Sequence, residues 1–302
     1  MFDSMKNTST ISLDGKSLAA LIQEEQRLYL SDFLSQYSLP RPKLCVVLIG
    51  DLAASITYVN AKKLACEKVG LEADIVHLDK NCTQKQVIET LEKLNQDPLV
   101  NAVLVQLPLP KGLDTATILD TIDPLKDVDG LHSLNAGRLV LGDPRAMIPC
   151  TPKGIIRMLA HYKVETSGKH VAILGRSSIV GRPLSILMSH SAWGGNSTVT
   201  LLHSKSEHLQ EITKQADILI CAVGQAKMVN KNHIKQGAVL IDVGIHRLEN
   251  GSLCGDIDAQ SVHGYASALS PVPGGVGPMT VAMVVENVLT AWARHHKLRE
   301  PQ

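Results

Sequence analysis

Short apolar runs rich in β-branched residues alternate with helical patterns along almost the whole chain, and few folds accept that pattern. Residues 43–49 (KLCVVLI), 73–78 and 102–107 (AVLVQL) read as strands, with helical stretches at 54–69, 83–95 and around 113–121. Near-continuous apolar strands need cover on both faces. The intervening helices supply it, so the strands are predicted to run parallel. The pattern pauses between Asp123 and Pro152, a loop-like stretch holding Pro124, Gly130, Gly137, Gly142, Pro144 and Pro149. It resumes with strands at 170–174 (HVAIL), 198–202 (TVTLL), 217–223 (DILICAV) and 238–243 (AVLIDV), and a helical run at 280–295 closes the chain. The predicted fold class is α/β: two α/β domains with parallel sheets, the second Rossmann-like, separated by a cleft, with ligand groups at the carboxyl ends of the strands. The boundary falls near residue 150. The first domain takes residues 1–150 plus 280–302, the closing helix packing back onto it, and the second takes 151–279.

Charge and cysteine usage narrow the partners. The chain carries 30 basic and 29 acidic side chains, net +1, with no basic stripe, and only 3% aromatics. Nucleic acid is therefore not an expected partner, for want of both a phosphate-neutralising surface and stacking platforms. Cys45, Cys66, Cys82, Cys150, Cys221 and Cys254 form no CxxC pair, which predicts free core thiols and no metal site. Met1 to Thr10 is polar and lacks the apolar core of a signal peptide, and no stretch reads as the ~18 apolar residues of a membrane span. A cytoplasmic placement away from membranes is expected.

In the second half, strand 170–174 runs into Gly175-Arg176-Ser177-Ser178-Ile179-Val180-Gly181-Arg182-Pro183. A strand, a glycine turn and a helix start offer backbone N–H groups and a helix dipole to a pyrophosphate. The turn is not a GxGxxG fingerprint, and glycine also serves such turns for conformational reasons alone. The next strand ends in His203-Ser204-Lys205, with no carboxylate for a ribose 2′-hydroxyl. Arg176 and that strand end suit a 2′-phosphate instead, since a guanidinium makes charge-assisted bonds to its oxygens, so NADP is favoured over NAD. The alternative is that Arg176 and Lys205 are plain solvated cations.

In the first half, Ser55, Tyr58 and Lys62 are spaced by three and four residues, so a helix puts them on one face, beginning at a strand's carboxyl end. An isolated YxxxK is more often an ordinary helix face. The short-chain dehydrogenases that share it place the glycine-rich turn before the tyrosine, whereas here Tyr58 precedes Gly175. Gln106 stands at the rim of the third strand, and Lys126-Asp127-Val128-Asp129-Gly130 is a loop with two carboxylates, either of which the loop could present. Ser270-Pro271-Val272-Pro273-Gly274-Gly275-Val276-Gly277-Pro278-Met279-Thr280 is a stiff, glycine-dense loop that lets a ligand approach the backbone.

The segments AASITYVNAKK, VQLPLP, KDVDGLH, CTPKG, GRSSIVGRP, HSK, IDVGI and PVPGGVGPMT, in this order from about residue 45 to 290, resemble the bifunctional methylenetetrahydrofolate dehydrogenase/cyclohydrolase family of one-carbon folate metabolism. The resemblance implies that Lys62 is the catalytic lysine, Tyr58 its stacking and hydrogen-bonding neighbour, and Ser55 part of the same catalytic face. It makes Gln106 the substrate-orienting amide and Asp129 the carboxylate that reads the pterin, with Pro273, Gly274 and Gly275 as substrate contacts. Gly175, Arg176, Ser177, Ser178, Ser204, Gly224 and Ile245 resemble contacts to NADP, with Ile245 near the nicotinamide end. A homodimer built through the nucleotide halves is also implied. Three departures stand out: Leu52-Ala53 in place of a polar-Pro pair, Leu131-His132-Ser133 in place of Phe-His-Pro, and a slightly long stretch from Ala192 to Asn196.

The implied chemistry divides the labour. Oxidising the methylene bridge of the tetrahydrofolate substrate needs hydride loss in near-attack contact and no proton transfer. Hydrolysing the methenyl product needs water to lose a proton as it attacks, and Lys62 is the candidate base or water-positioner. The competing readings are a monofunctional dehydrogenase without the hydrolytic step, another two-domain dehydrogenase using Arg41 or Arg138 as an anion clamp, and a catalytically silent binding protein.

Overall fold

The computed structural model describes residues 9–191 and 194–301. The polar start of the chain up to residue 8, and Ala192 and Trp193 of the long stretch, lie outside the described residues. Along the chain the elements are β1 (Ile11–Ser12), α1 (Gly15–Gln36), β2 (Lys43–Ile49), α2 (Ala53–Val69), β3 (Glu72–Leu78), α3 (Gln84–Gln96), β4 (Ala102–Val105), α4 (Thr115–Thr121), α5 (Ser133–Leu141) and α6 (Cys150–His161). There follow β5 (His170–Leu174), α7 (Gly181–Ser189), β6 (Thr198–Leu202), α8 (Leu209–Thr213), β7 (Ile218–Cys221), β8 (Val239–Asp242), β9 (His246–Arg247), β10 (Leu253–Cys254), α9 (Ala259–Val262), β11 (Ala268–Leu269) and α10 (Val276–His296). The chain divides into two compact units. One comprises residues 9–18 and 151–280, the other 19–150 and 281–301.

The second of these holds a three-stranded parallel sheet in the order β3-β2-β4. Central β2 is buried on both faces, which is why it reads as an unbroken apolar run; Cys45, Val47 and Ile49 pack on Val87, Leu91 and Ile118. A capping box starts α3: the Thr83 hydroxyl accepts from Gln86 N at 3.2 Å and Gln86 Oε1 accepts from Thr83 N at 2.8 Å. The other end of α3 is closed by Lys126, whose ammonium donates to the carbonyls of Leu94, Asn95 and Asp97 at 2.7–3.1 Å.

The other unit is built on a six-stranded parallel sheet, β1-β11-β8-β7-β5-β6. From β5 the chain goes outward to β6 and then crosses back to β7 on the far side. That reversal is the switch point at which a doubly wound sheet opens a ligand crevice. β1 adds to this sheet through Ile11 N to Ser267 O and Leu13 N to Leu269 O, both 2.9 Å. Residues 9–18 thus belong here and not with the rest of the first 150; a two-residue strand is too short to show a period.

Further elements depart from the sequence reading: α1 and α6 are helices that it did not assign, and two others differ in kind or extent. Within the loop-like stretch, α5 forms because the His132 ring nitrogen accepts from Leu134 N at 2.9 Å and Gly142 closes the other end at φ 69°. α10 starts at Val276, four residues earlier than expected, with Pro278 in its first turn, where a missing N–H costs nothing. It is also long and apolar enough to cross a membrane by length and composition, which corrects the expectation that no stretch is; 78% of its most apolar window is buried inside the fold.

Candidate active site

In the unit of residues 19–150 and 281–301, Gly50 turns the chain from β2 into α2, at φ 77° with its N–H on Leu78 O at 2.9 Å. The buried face of α2 carries Ser55, Val59, Lys62, Cys66 and Val69, and Tyr58 is half-buried beside it. The predicted face is therefore turned inward. Burial pushes the Tyr58 phenol above its ordinary range. Lys62 is only 5% exposed, and its Nζ donates to Gln106 Oε1 at 3.0 Å. No ion pair to Lys62 occurs among the described residues. Gln106 follows β4, holds Val47 O through its backbone N–H at 2.9 Å, and donates through Nε2 to Leu107 O at 2.7 Å. Both ends of the amide are thereby committed, and its oxygen faces the lysine.

The two carboxylates of the 126–130 loop part company. Asp127, 1% exposed, accepts from Leu131 N, His132 N and Asn135 Nδ2 at 3.3, 2.9 and 2.9 Å. Burial raises its carboxyl above the usual range despite those donors. Asp129 is half-exposed and makes none of these bonds. The loop lies alongside β4, through Val103 N to Lys126 O at 2.8 Å, and Asn287 of α10 braces it by donating to Val128 O at 2.8 Å. The departure at 131–133 leaves this intact, because the donors at 131 and 132 are backbone N–H groups that any residue except proline carries.

In the unit of residues 9–18 and 151–280, Gly175 follows β5 at φ 113°, and a Cβ there would lie 2.1 Å from Ala222 O. A Cβ on Gly181 would lie 1.9 Å from Gly175 O, so both positions of the turn exclude a side chain. A cavity of about 480 Å³ opens at the ends of β5, β6 and β7, lined among others by Gly175, Arg176, His203, Ser204, Val223 and Gln225. No carboxylate lines it, and Arg176 is exposed at its side with no ion pair among the described residues. Ser177, Ser178, Gly224 and Ile245 are not part of its lining. The Ser177 hydroxyl accepts from Val180 N at 3.1 Å within the turn, and Ile245, 44% exposed, follows β8 near Gly277.

The 270–275 loop uses its glycines on the chain itself. A Cβ on Gly15 would sit 1.9 Å from Gly275 O, one on Gly275 would sit 2.5 Å from Pro271 O, and Gly274 O accepts from Lys16 N at 2.8 Å. At Gly275 the space a side chain would fill is taken by Pro271 and Ser270 of the same loop, and the start of α1 packs on the Gly275 carbonyl.

Two buried carboxylates behind the cavity escape the sequence reading. Asp242 accepts from Gly244 N, Asp256 N and Ile257 N at 3.0, 2.9 and 2.9 Å, and Asp256 accepts from the backbone of 223–225. The only hint was position: Asp242 closes an apolar strand run. Burial lifts the Asp242 carboxyl to about 6, so the native state holds its proton more tightly than the unfolded chain. The stability so contributed is complete below the ordinary value of 3.8 and is lost as pH rises through about 6. A carboxyl-carbon NMR titration is expected to show an Asp242 midpoint near 6; one at or below 3.8 contradicts the assignment.

Residues 13–129 match the catalytic domain of tetrahydrofolate dehydrogenase/cyclohydrolase, and residues 149–296 match its NAD(P)-binding domain. The chain belongs to the tetrahydrofolate dehydrogenase/cyclohydrolase family. It is 44% identical over 283 residues to a bifunctional protein FolD of Halalkalibacterium halodurans, covering 94% of this chain and 99% of that one. Among solved structures, the bifunctional FolD dehydrogenase/cyclohydrolase of Campylobacter jejuni superposes with a TM-score of 0.90 at 39% identity, covering 96% of this chain and 100% of that one. The Trypanosoma brucei methylenetetrahydrofolate dehydrogenase-cyclohydrolase, complexed with NADP cofactor and inhibitor, gives 0.90 at 33%, covering 95% of this chain and 98% of that one. In this dehydrogenase/cyclohydrolase the family's two domain matches thus fall on the Lys62–Gln106 face and on the β5–β7 cavity.

Proposed function

We propose that this chain oxidises 5,10-methylenetetrahydrofolate to 5,10-methenyltetrahydrofolate with NADP as acceptor, and hydrolyses the product to 10-formyltetrahydrofolate. The unit of residues 19–150 and 281–301 handles the folate, and that of 9–18 and 151–280 the cofactor. The observation that carries the reading is the buried Lys62 amine bonded to the Gln106 amide at a strand end. Three features fit NADP to the unit of residues 9–18 and 151–280: the turn at Gly175 admits no side chain, Arg176 and Ser204 border one cavity, and no carboxylate among the described residues lines it to repel a 2′-phosphate. Bound NADP supplies the hydride acceptor; the protein's part in that step is orientation. Tyr58, half-buried one turn from Lys62, stacks on the folate, Ser55 completes the face, and Asp129 accepts from the pterin's ring N–H and amino group.

For hydrolysis, a water oxygen bonds to the methenyl carbon as Lys62 takes its proton. The carbinol hydroxyl then gives up its remaining proton as the carbon–N5 bond breaks, and N5 takes one up, so the carbon–oxygen double bond forms and the formyl group stays on N10. Pro273, Gly274 and Gly275 are assigned to the substrate side, and Ser177, Ser178, Gly224 and Ile245 to the cofactor. We place the enzyme in the cytoplasm as a homodimer, which sedimentation of the purified protein checks.

Mixing the protein with methylenetetrahydrofolate and NADP is expected to produce reduced cofactor and a methenyl absorbance that rises and then decays. Absence of reduced cofactor contradicts the reading, and a methenyl signal that persists leaves only the monofunctional dehydrogenase. Arg176→Ala is expected to raise the KM for NADP by about 10- to 100-fold, the worth of hydrogen bonds to a charged group, and to leave the KM for NAD nearly unchanged. Equal losses with both cofactors contradict a 2′-phosphate contact.

A further inference from the structure

We infer that Asp256 is a positioning residue for NADP, shaping the wall that residues 223–225 give to the cofactor cavity; the inference rests on the reading of that cavity proposed above. Val223 and Gln225 line the cavity, on the turn that follows β7. Three consecutive backbone N–H groups on that turn converge on one carboxylate: Val223 N and Gly224 N reach Asp256 Oδ2 at 2.7 and 3.1 Å, and Gln225 N reaches Oδ1 at 2.9 Å. The fourth donor is His246 Nε2, 2.8 Å from Oδ1. A carboxylate accepts at about four lone-pair positions, two on each oxygen, and here each oxygen receives two donors. Asp256 is fully buried, so its oxygens are satisfied by these donors and not by bulk water.

Consecutive N–H groups reach one carboxylate only if the turn curls around it, and Gly224, at φ 70°, supplies the left-handed residue that lets it do so. Asp256 is itself held, with its N–H on Asp242 Oδ1 and its carbonyl on Val229 N at 2.9 Å each. The end of β8 therefore fixes Asp256, and Asp256 fixes the cavity wall. No group in this chain of bonds belongs to the Lys62 face, so the device acts on cofactor affinity and not on hydrolysis.

Asparagine keeps the shape and loses the chemistry. In one orientation its amide nitrogen would face the N–H groups of Val223 and Gly224, and in the other that of Gln225 while His246 changes tautomer, so either way the turn would have to open. Calorimetric titration of Asp256→Asn with NADP is expected to show at least about a tenfold loss of affinity, with the KM for NADP raised far more than kcat is lowered. Hydrolysis of preformed methenyltetrahydrofolate, which needs no cofactor, reports on the same sample whether the variant has folded. Affinity within about twofold of wild type overturns the inference. Should Asp256→Asn lose hydrolysis as well, the His246 pair decides. His246→Ala is expected to weaken NADP, and His246→Gln, which retains a donor, to restore it; His246→Ala with wild-type affinity overturns the inference. A wild-type protein that binds no NADP overturns the underlying reading of the cavity instead.

Discussion

Lys62→Met is expected to slow methenyltetrahydrofolate hydrolysis by about 10²–10⁴-fold, the range a positioned proton acceptor contributes, while hydride transfer from the methylene substrate falls far less. The asymmetry follows from the chemistry. Only hydrolysis requires a proton to leave the attacking water, and Lys62 is the buried amine of the α2 face, 3.0 Å from the Gln106 oxygen. Methionine matches the length of the lysine stem and suits a site only 5% exposed, so a folding defect is not the expected result. Gln106 loses its donor partner in that variant, yet its amide stays tied to Leu107 O at 2.7 Å. Assays of the two half-reactions on one preparation separate the outcomes. Hydrolysis at the wild-type rate removes Lys62 from the mechanism; equal loss of both reactions makes it a substrate-binding group.

Asp129→Ala is expected to weaken folate binding by about 10- to 100-fold, the loss of two hydrogen bonds to a charged acceptor, and to leave NADP binding unchanged. The neighbouring carboxylate is the contrast. Asp127 is engaged by three donors from Leu131, His132 and Asn135, so Asp127→Ala strands the N–H groups of Leu131 and His132 and lowers the melting temperature. Binding titrations with a folate analogue and thermal melts of both variants test the division of roles. Folate affinity unchanged in Asp129→Ala refutes it, as does a melting temperature unchanged in Asp127→Ala.

Most of the fold was legible because seven of its strands are long enough to show their burial. β2, β5 and β7 are apolar at nearly every position since helices cover both faces, and a run of that kind reads clearly without tertiary information. β1 and β11 have two residues each, and nothing in the sequence of Ile11–Ser12 says that it pairs with Ala268–Leu269, which lies more than 250 residues away. That pairing moved the start of the chain into the other unit. α5 stayed hidden because its signals are weak: an imidazole as cap and a glycine in its middle, set in a stretch dense with proline.

The candidate site was legible on α2, where helical spacing alone puts Ser55, Tyr58 and Lys62 together, and at Gly175, where a turn between strand and helix admits only glycine. The choice between Asp127 and Asp129 was not legible. It depends on which carboxylate the loop consumes, and that is a matter of three hydrogen bonds to residues 131, 132 and 135. Asp242 and Asp256 were missed for a related reason. A buried aspartate filled by backbone donors looks, in one sequence, like any solvated acid.

The central claim is that the Lys62 amine, steadied by Gln106, stands where the one-carbon bridge of the folate reacts. A crystal structure of the protein with NADP and a hydrolysis-resistant folate analogue measures this directly. Lys62 Nζ is expected within about 3–3.5 Å of the bridging carbon or of a water in contact with it, with the Asp129 carboxylate on the pterin edge. An analogue bound with its one-carbon position beyond the reach of Lys62, or with Asp129 facing solvent, contradicts the account.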